Sequence, residues 1–435
     1  MSNHPQGTQR AVKWYPPGYD IRVETVPIPE IVDPDDAIVK IKLAGLCGSD
    51  LHIYRGHEDV DAELICGHEL VGEVVALGSS FYPGATGRPE LYSTLKIGDK
   101  VVSPFTVSCG ECHFCRVGFT CRCIHSTLFG IPILPGGQAQ YARIPKAGGT
   151  LFSLTALATS NARVLEVADS SLLLLADILP TGVFAALQTL QHPKLSPMLT
   201  GLAYPSSSFV PSGELALAGA GVMKPLEAAD RTLTIAIVGL GPVGVCAAVS
   251  LLHMMENVRT EKGLDYRVLA VDPNESRRKK MEAVYATISR QEKQSGAFVV
   301  AAIDEAKQLA KLWTGGAGCN AVLEIVGNTS ALELAYSLVR PFGIISSVGV
   351  HQEPPLPFTG RDVYNKNVSL DFGRCPVRAM FPLALEVLVK RQDVFGGIGE
   401  DASLIEKVVS FDEAAESYEL FDKGKCGKIL FDPWR

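Results

Sequence analysis

Ile235-Ala-Ile-Val-Gly-Leu-Gly-Pro-Val-Gly-Val-Cys-Ala-Ala248 is the stretch that decides the architecture. An apolar run reads as a strand, and Gly239, Gly241 and Gly244 follow it in G-x-G-x-x-G order at the head of an apolar helix. A bare glycine triplet carries little weight, but this strand-to-helix setting is that of a dinucleotide fingerprint. The first glycine permits the tight turn, the second lets the backbone approach a pyrophosphate, and the third lets helix and strand pack closely. Pro242 and Val243 complete the turn, and the helix N-terminus faces the phosphate charge.

Outward from that loop, apolar segments at 234–238, 267–271, 321–326 and 344–348 alternate with helical stretches. Strands alternating with helices imply a parallel, doubly wound α/β sheet of the Rossmann type. The second of these segments ends at Asp272, whose carboxylate could accept the adenosine ribose hydroxyls and repel a 2′-phosphate, favouring NAD over NADP. The same aspartate also reads as a solvated loop residue. Arg277 and Arg278 keep NADP open. Asp272 lies 28 residues after Gly244, so 256–265 reads as a polar insertion.

N-terminal to this region, from about residue 10 to 102, apolar residues alternate or fall in short runs broken by glycine, as in Glu69-Leu-Val-Gly-Glu-Val-Val-Ala-Leu-Gly78. That pattern predicts a mainly β domain. The stretch 191–231 is rich in Pro, Ser, Gly and Ala and reads as a mobile surface insertion or a lid.

With 435 residues, 47% of them hydrophobic, the chain is long enough for two or three domains with sizeable cores. The net charge of −7 and the lack of a long basic run argue against a nucleic-acid partner. No run approaches the roughly 20 apolar residues of a membrane span, and the start has no signal-peptide pattern, so a cytoplasmic protein is expected. Five of the 11 cysteines fall within 109–123, a spacing that suits a metal better than a disulfide ladder.

Cys109, Cys112, Cys115 and Cys123 form C-x2-C-x2-C-x7-C, the arrangement of a closed tetrahedral structural zinc, with Cys121 a competitor for the fourth place. A second, dispersed set comprises Cys47-Gly-Ser-Asp-Leu-His52 and Gly67-His-Glu-Leu-Val-Gly72. Cysteine plus histidine without a dense cluster suits an open metal site with three protein ligands and one position left for water or substrate. His57 in Gly56-His-Glu58 competes with His68, but only His68 heads an apolar strand-like run.

These motifs, in this order, resemble the zinc-containing medium-chain alcohol dehydrogenases over about residues 10–433. The resemblance implies a β-rich GroES-like catalytic domain from both chain ends, 1–178 and 372–435, with its zinc lobe at about 104–125. It also implies a NAD(P)-binding Rossmann domain at 179–371 and an active site in the cleft between the two. Two zincs per chain and NAD, with NADP possible, are the implied cofactors. A small alcohol or carbonyl compound is the implied substrate, and a homodimer or homotetramer the implied assembly.

The family's third catalytic ligand is a cysteine or, in some members, an acid, and no cysteine lies between Cys123 and Cys246. Asp177 in Asp177-Ile-Leu-Pro-Thr-Gly182 resembles the acid of the glutathione-independent formaldehyde dehydrogenase and secondary-alcohol branches. Capping a helix is its bland role, and Glu69 or Asp169 would then have to supply the ligand. By the same resemblance, Ser49 and His52 match a proton relay, Glu69 an acid near zinc, Asp50 the carboxylate that orients His68, and Phe105 a pocket wall. Val348 and Val350 match the strand beside the nicotinamide, and Lys428 a pyrophosphate contact.

Gly48 stands where some relatives carry a phosphate-binding arginine, and 79–94, 191–231 and 256–265 are additional segments. Hydride transfer between an alcohol and NAD(P) is the implied reaction. Dismutation, C=C reduction or a non-redox step on the same scaffold are alternatives, as is a non-catalytic NAD-binding redox sensor.

Overall fold

The computed structural model describes all residues except 1–4, 83, 86–94, 160–161, 203, 205–225, 263, 292–295 and 353–354. The chain divides into two compact units, Met1–Pro180 with Cys375–Arg435, and Thr181–Arg374.

The second unit is built on six parallel strands. In spatial order they are Ala297–Ala301, Tyr266–Val271, Leu233–Val238, Cys319–Glu324, Val339–Ser347 and Ser369–Phe372. Leu233–Val238 is buried at all six positions, as a strand covered on both faces must be. Its neighbour Cys319–Glu324 is buried at all six positions too, and Tyr266–Val271 at all but Arg267. Strands Ala297–Ala301 and Ser369–Phe372 escaped the sequence reading, because both lie at sheet edges, are only partly buried and so lack a continuous apolar run.

The helix that follows the glycine loop runs from Pro242 to Lys262. Most of 256–265, read from sequence as an insertion, is therefore continuous helix. Its polar residues extend the helix past the apolar part that packs on the sheet. The middle of 191–231 and most of 79–94 lie outside the described residues. The flanks of the former are short helical turns at Pro193–Leu195, Ser196–Thr200 and Ala228–Arg231.

The first unit contains a sheet in the order Ile405–Ser410, Lys428–Asp432, Ala37–Leu46, Leu70–Leu77, Lys100–Ser103 and Phe152–Ser153, with Tyr141–Ile144 also pairing Ala37–Leu46. A three-stranded sheet places Thr8–Tyr15 between Asp20–Pro27 and Leu64–Ile65. Ala37–Leu46 pairs with Leu70–Leu77 on one edge and with the C-terminal strand Lys428–Asp432 on the other, Ile429 lying opposite Leu46. Cys47, Glu69 and Lys428, far apart in sequence, thereby come together at the end of one strand.

Among the described residues no single helix is long and apolar enough to cross a membrane. The pair Asp169–Ala176 and Ile178–Leu190 has the composition for it but bends by 51°, and residues 172–176 are fully buried in the protein.

Candidate metal and cofactor sites

Cys47, His68 and Asp177 come from three separate segments of the first unit. Cys47 follows Ala37–Leu46, His68 precedes Leu70–Leu77, and Asp177 lies between a short helical turn, Leu174–Ala176, and the helix starting at Ile178. Cys47 Sγ lies 3.6 Å from Asp177 Oδ2, and His68 Nε2 lies 3.3 Å from the same oxygen. Tetrahedral zinc with ordinary bond lengths requires edges of about 3.5 Å between S and O and about 3.3 Å between N and O. The donor set and its spacing therefore fit zinc.

His68 Nδ1 lies 3.1 Å from Asp50 Oδ1, which turns Nε2 toward the other two donors. Asp50 Oδ2 accepts the Cys47 amide at 2.9 Å, so one buried carboxylate sets two of the three donors. The competitors are placed elsewhere: His57 is exposed, and Asp169 is ion-paired with Lys100. Ser49 Oγ is 3.2 Å from His68 Nε2, beside the donor cluster. His52 lies half-buried on the Asp50–Tyr54 helix, and burial lowers its pKa. The Phe105 ring meets the His68 ring edge-on at 6.4 Å, and its amide donates to the Ala176 carbonyl at 3.2 Å.

Glu69 and Lys428 are both completely buried and ion-paired with each other. Lys428 Nζ also donates to the Leu46 carbonyl at 3.0 Å. Lys428, which the resemblance matches to a pyrophosphate contact, is thus paired within the first unit with the acid beside the metal site. Gly45 makes room for this pair, since a Cβ there would overlap the Glu69 carboxylate.

The cluster draws positive charge. Burial and the Glu69 carboxylate push the Cys47 thiol up. Burial lowers the His68 pKa, but Asp50 and Asp177 outweigh it and hold the imidazole well above its ordinary value. Burial likewise works against Lys428, yet Glu69 and Cys47 keep its ammonium above the usual range. Glu69 Oε1 is buried without a hydrogen-bond partner. A divalent cation held by Cys47, His68 and Asp177 would supply the charge this group of acids calls for.

The cysteine lobe is compact. Sγ of Cys109, Cys112, Cys115 and Cys123 lie within 4.8 Å of one another, with Cys109 to Cys123 at 3.6 Å and Cys112 to Cys123 at 3.9 Å. A Zn–S tetrahedron has edges of about 3.8 Å. Amides donate to the sulfurs: Cys109 and His125 to Cys123 Sγ at 3.3 Å, and Glu111 and Cys112 to Cys109 Sγ at 3.4 Å. Burial raises the Cys112 pKa, but amides of Ile124 and Cys115 and the neighbouring sulfurs bring it down to about 6. Cys121 is buried in the turn Thr120–Arg122 and is not part of this cluster.

In the second unit, Gly239 has φ +99°, and a Cβ there would sit 2.5 Å from Val326. At Gly244 a Cβ would overlap the Gly239 carbonyl, whereas Gly241 faces open space, as a backbone that approaches a ligand requires. Helix Pro242–Lys262 begins at its proline, where the missing N–H costs nothing.

Asp272 follows Tyr266–Val271 and is 2% exposed. Its Oδ2 accepts the Leu240 amide and its Oδ1 the Asn274 amide, both at 2.8 Å. It is thus no solvated loop residue but the clamp that shapes the glycine loop, with the half-exposed Arg277 3.7 Å away.

The sequence reading missed Glu324, Ser347 and His351. Fully buried Glu324 takes the Val326 and Gly327 amides on Oε1 at 2.8 Å, and Oε2 accepts Ser347 Oγ at 2.7 Å and lies 3.1 Å from His351 Nε2. The Val348 amide donates to the Glu324 carbonyl, and Val350 is exposed. The available signal was an acid inside the apolar run Ala321-Val-Leu-Glu-Ile-Val326.

Two family models match the chain: the alcohol dehydrogenase GroES-like domain at residues 33–154 and the zinc-binding dehydrogenase domain at 258–390. The zinc-type alcohol dehydrogenase B of Aspergillus flavus is 36% identical, over 98% of this chain and 82% of that protein. The chain belongs to the zinc-containing medium-chain alcohol dehydrogenase family. A medium chain reductase/dehydrogenase of an Acremonium species is 37% identical, over 82% of this chain and 98% of the relative. An alcohol dehydrogenase of Thermus sp. ATN1 matches in structure with TM-score 0.67 and 25% identity, covering 97% of this chain and 99% of that one. This family member is a zinc-dependent oxidoreductase that works with a nicotinamide cofactor on a small-molecule substrate.

Proposed function

We propose that the protein is an NAD-preferring alcohol dehydrogenase with a catalytic zinc on Cys47, His68 and Asp177 and a structural zinc on Cys109, Cys112, Cys115 and Cys123. The convergence of Cys47 Sγ and His68 Nε2 on Asp177 Oδ2 at tetrahedral edge lengths carries this reading. Ionised Cys47 and Asp177 would balance a divalent charge while His68 stays neutral, leaving a fourth position for a substrate oxygen. Zinc held there would supply Lewis acidity, and a nicotinamide cofactor at the glycine loop would supply the hydride chemistry.

The chain's own residues do the rest. Asp50 holds the His68 tautomer through Nδ1, and Phe105 walls the pocket on the His68 side. Lys428 and Glu69 set the local charge. Ser49, 3.2 Å from His68 Nε2, would take the alcohol proton, which would leave through the cofactor ribose and His52. Asp272 shapes the phosphate loop and favours NAD by excluding a 2′-phosphate. A cytoplasmic homodimer or homotetramer is the proposed setting.

Absorbance at 340 nm with primary, secondary and polyol alcohols and with formaldehyde tests the reaction, together with zinc analysis of Asp177→Ala. That variant should fall from two zincs per chain toward one and lose turnover while still binding NADH. Retention of both zincs and near-native activity would remove Asp177 from the site. Zinc and NAD bound with no substrate turned over would favour a binding protein instead.

A further inference from the structure

Three loops leave the carboxyl ends of three adjacent parallel strands in the second unit: the glycine loop after Leu233–Val238, residues 325–327 after Cys319–Glu324, and residues 348–351 after Val339–Ser347. Ligands of such sheets bind outside the carboxyl ends of the strands, so these loops border the dinucleotide site. They also touch one another. A Cβ at Gly239 would meet Val326 at 2.5 Å, one at Gly327 would meet the Val350 nitrogen at 2.4 Å, and one at Gly349 the Gly327 nitrogen at 2.2 Å. With contacts this close, a shift of one loop is passed to the next.

One buried carboxylate ties two of these loops together. Glu324 Oε1 accepts the Val326 and Gly327 amides, while Oε2 accepts the Ser347 hydroxyl and faces His351 Nε2. Because the serine proton goes to Oε2, His351 must carry its own proton on Nε2, which lies 2.7 Å from Ser347 Oγ. Ser347 and His351 flank 348–350, so that loop is pinned at both ends to the acid that also shapes 325–327. Three of the four donors belong to a strand end or to the turn that follows it. Only the imidazole reaches back from the far end of a loop. The arrangement is also one-sided: Asp272 ends the strand on the opposite flank of Leu233–Val238. A dinucleotide with its pyrophosphate on the glycine loop and its adenosine toward Asp272 therefore lays its nicotinamide half on the Glu324 side.

We propose that His351 is a positioning residue for the nicotinamide half of the dinucleotide, acting through Glu324 on loops 325–327 and 348–351 and leaving the adenosine half unaffected. The inference rests on the dinucleotide reading of the glycine loop, and not on the metal ligands or the substrate.

Titration calorimetry of the full-length, zinc-loaded protein with NADH and with ADP separates the two halves, because ADP carries the adenosine and pyrophosphate without the nicotinamide. Loss of one hydrogen bond to a buried carboxylate in His351→Leu should weaken NADH about tenfold and leave ADP within about twofold. His351→Gln, whose amide N–H can still reach Glu324, should recover most of the NADH affinity. Ser347→Ala removes another donor from the same oxygen and should weaken NADH selectively, even where His351→Leu fails to fold. NADH affinity close to the parent's in the folded variants, or equal weakening of NADH and ADP, would overturn the proposal. A parent protein that binds neither NADH nor ADP would overturn the dinucleotide reading itself, and the proposal with it.

Discussion

Replacing Lys428 with methionine separates the two roles that can be assigned to this residue. Lys428 and Glu69 have no exposed surface and are paired with each other, so Lys428→Met leaves a carboxylate buried without its cation and removes a donor from the Leu46 carbonyl. Breaking a buried pair from one side costs about 3–5 kcal/mol, and the orphaned carbonyl adds about 1 kcal/mol. For a unit of this size that corresponds to a fall in Tm on the order of 10 °C. Calorimetry of the zinc-loaded protein, with zinc content measured in parallel, gives the first readout. NADH affinity by fluorescence gives the second and should change less than twofold. Glu69→Gln in the Lys428→Met background should restore most of the loss, because the uncompensated charge is then gone. A variant that melts like the parent but binds NADH tenfold more weakly would refute the burial argument and return Lys428 to the pyrophosphate.

Cys123→Ser should lose one zinc and thermal stability together, whereas Cys121→Ser, outside the four-sulfur cluster, should keep both zincs; metal analysis after dialysis distinguishes them. Asp272→Ser should raise the NADP/NAD ratio of kcat/KM and also weaken NAD binding, since the Leu240 and Asn274 amides lose their acceptor; an unchanged ratio would count against the NAD assignment. Burial lowers the His192 pKa below its ordinary value, and its Nδ1 accepts the Lys194 amide at 3.1 Å. The unfolded chain therefore takes up a proton first as pH falls through about 6.5, and stability drops there. His192→Gln should flatten the fall in Tm between pH 7 and pH 5.5, and parallel curves would dismiss the histidine.

The features legible in the sequence are those whose chemistry is completed within a few residues. The glycine loop announces itself because Gly239, Gly241 and Gly244 sit on one strand-to-helix turn, and the cysteine lobe because its four sulfurs span 15 positions. Local backbone geometry settles both. Buried strands of the nucleotide unit were readable as apolar runs, while the edge strands Ala297–Ala301 and Ser369–Phe372, half-exposed, were not.

Asp177 stands between these cases. Its motif suggested a ligand, but only the fold brings its carboxylate to Cys47, 130 positions away. Lys428 was beyond the reach of the sequence. A lysine opening a C-terminal strand looks like any solvated cation. What buries it is the antiparallel register that sets Ile429 opposite Leu46, one residue from Cys47, and so lays the ammonium against Glu69, 359 positions away. Long-range strand pairing of that kind depends on the energy of the whole core, which no local pattern of residues encodes.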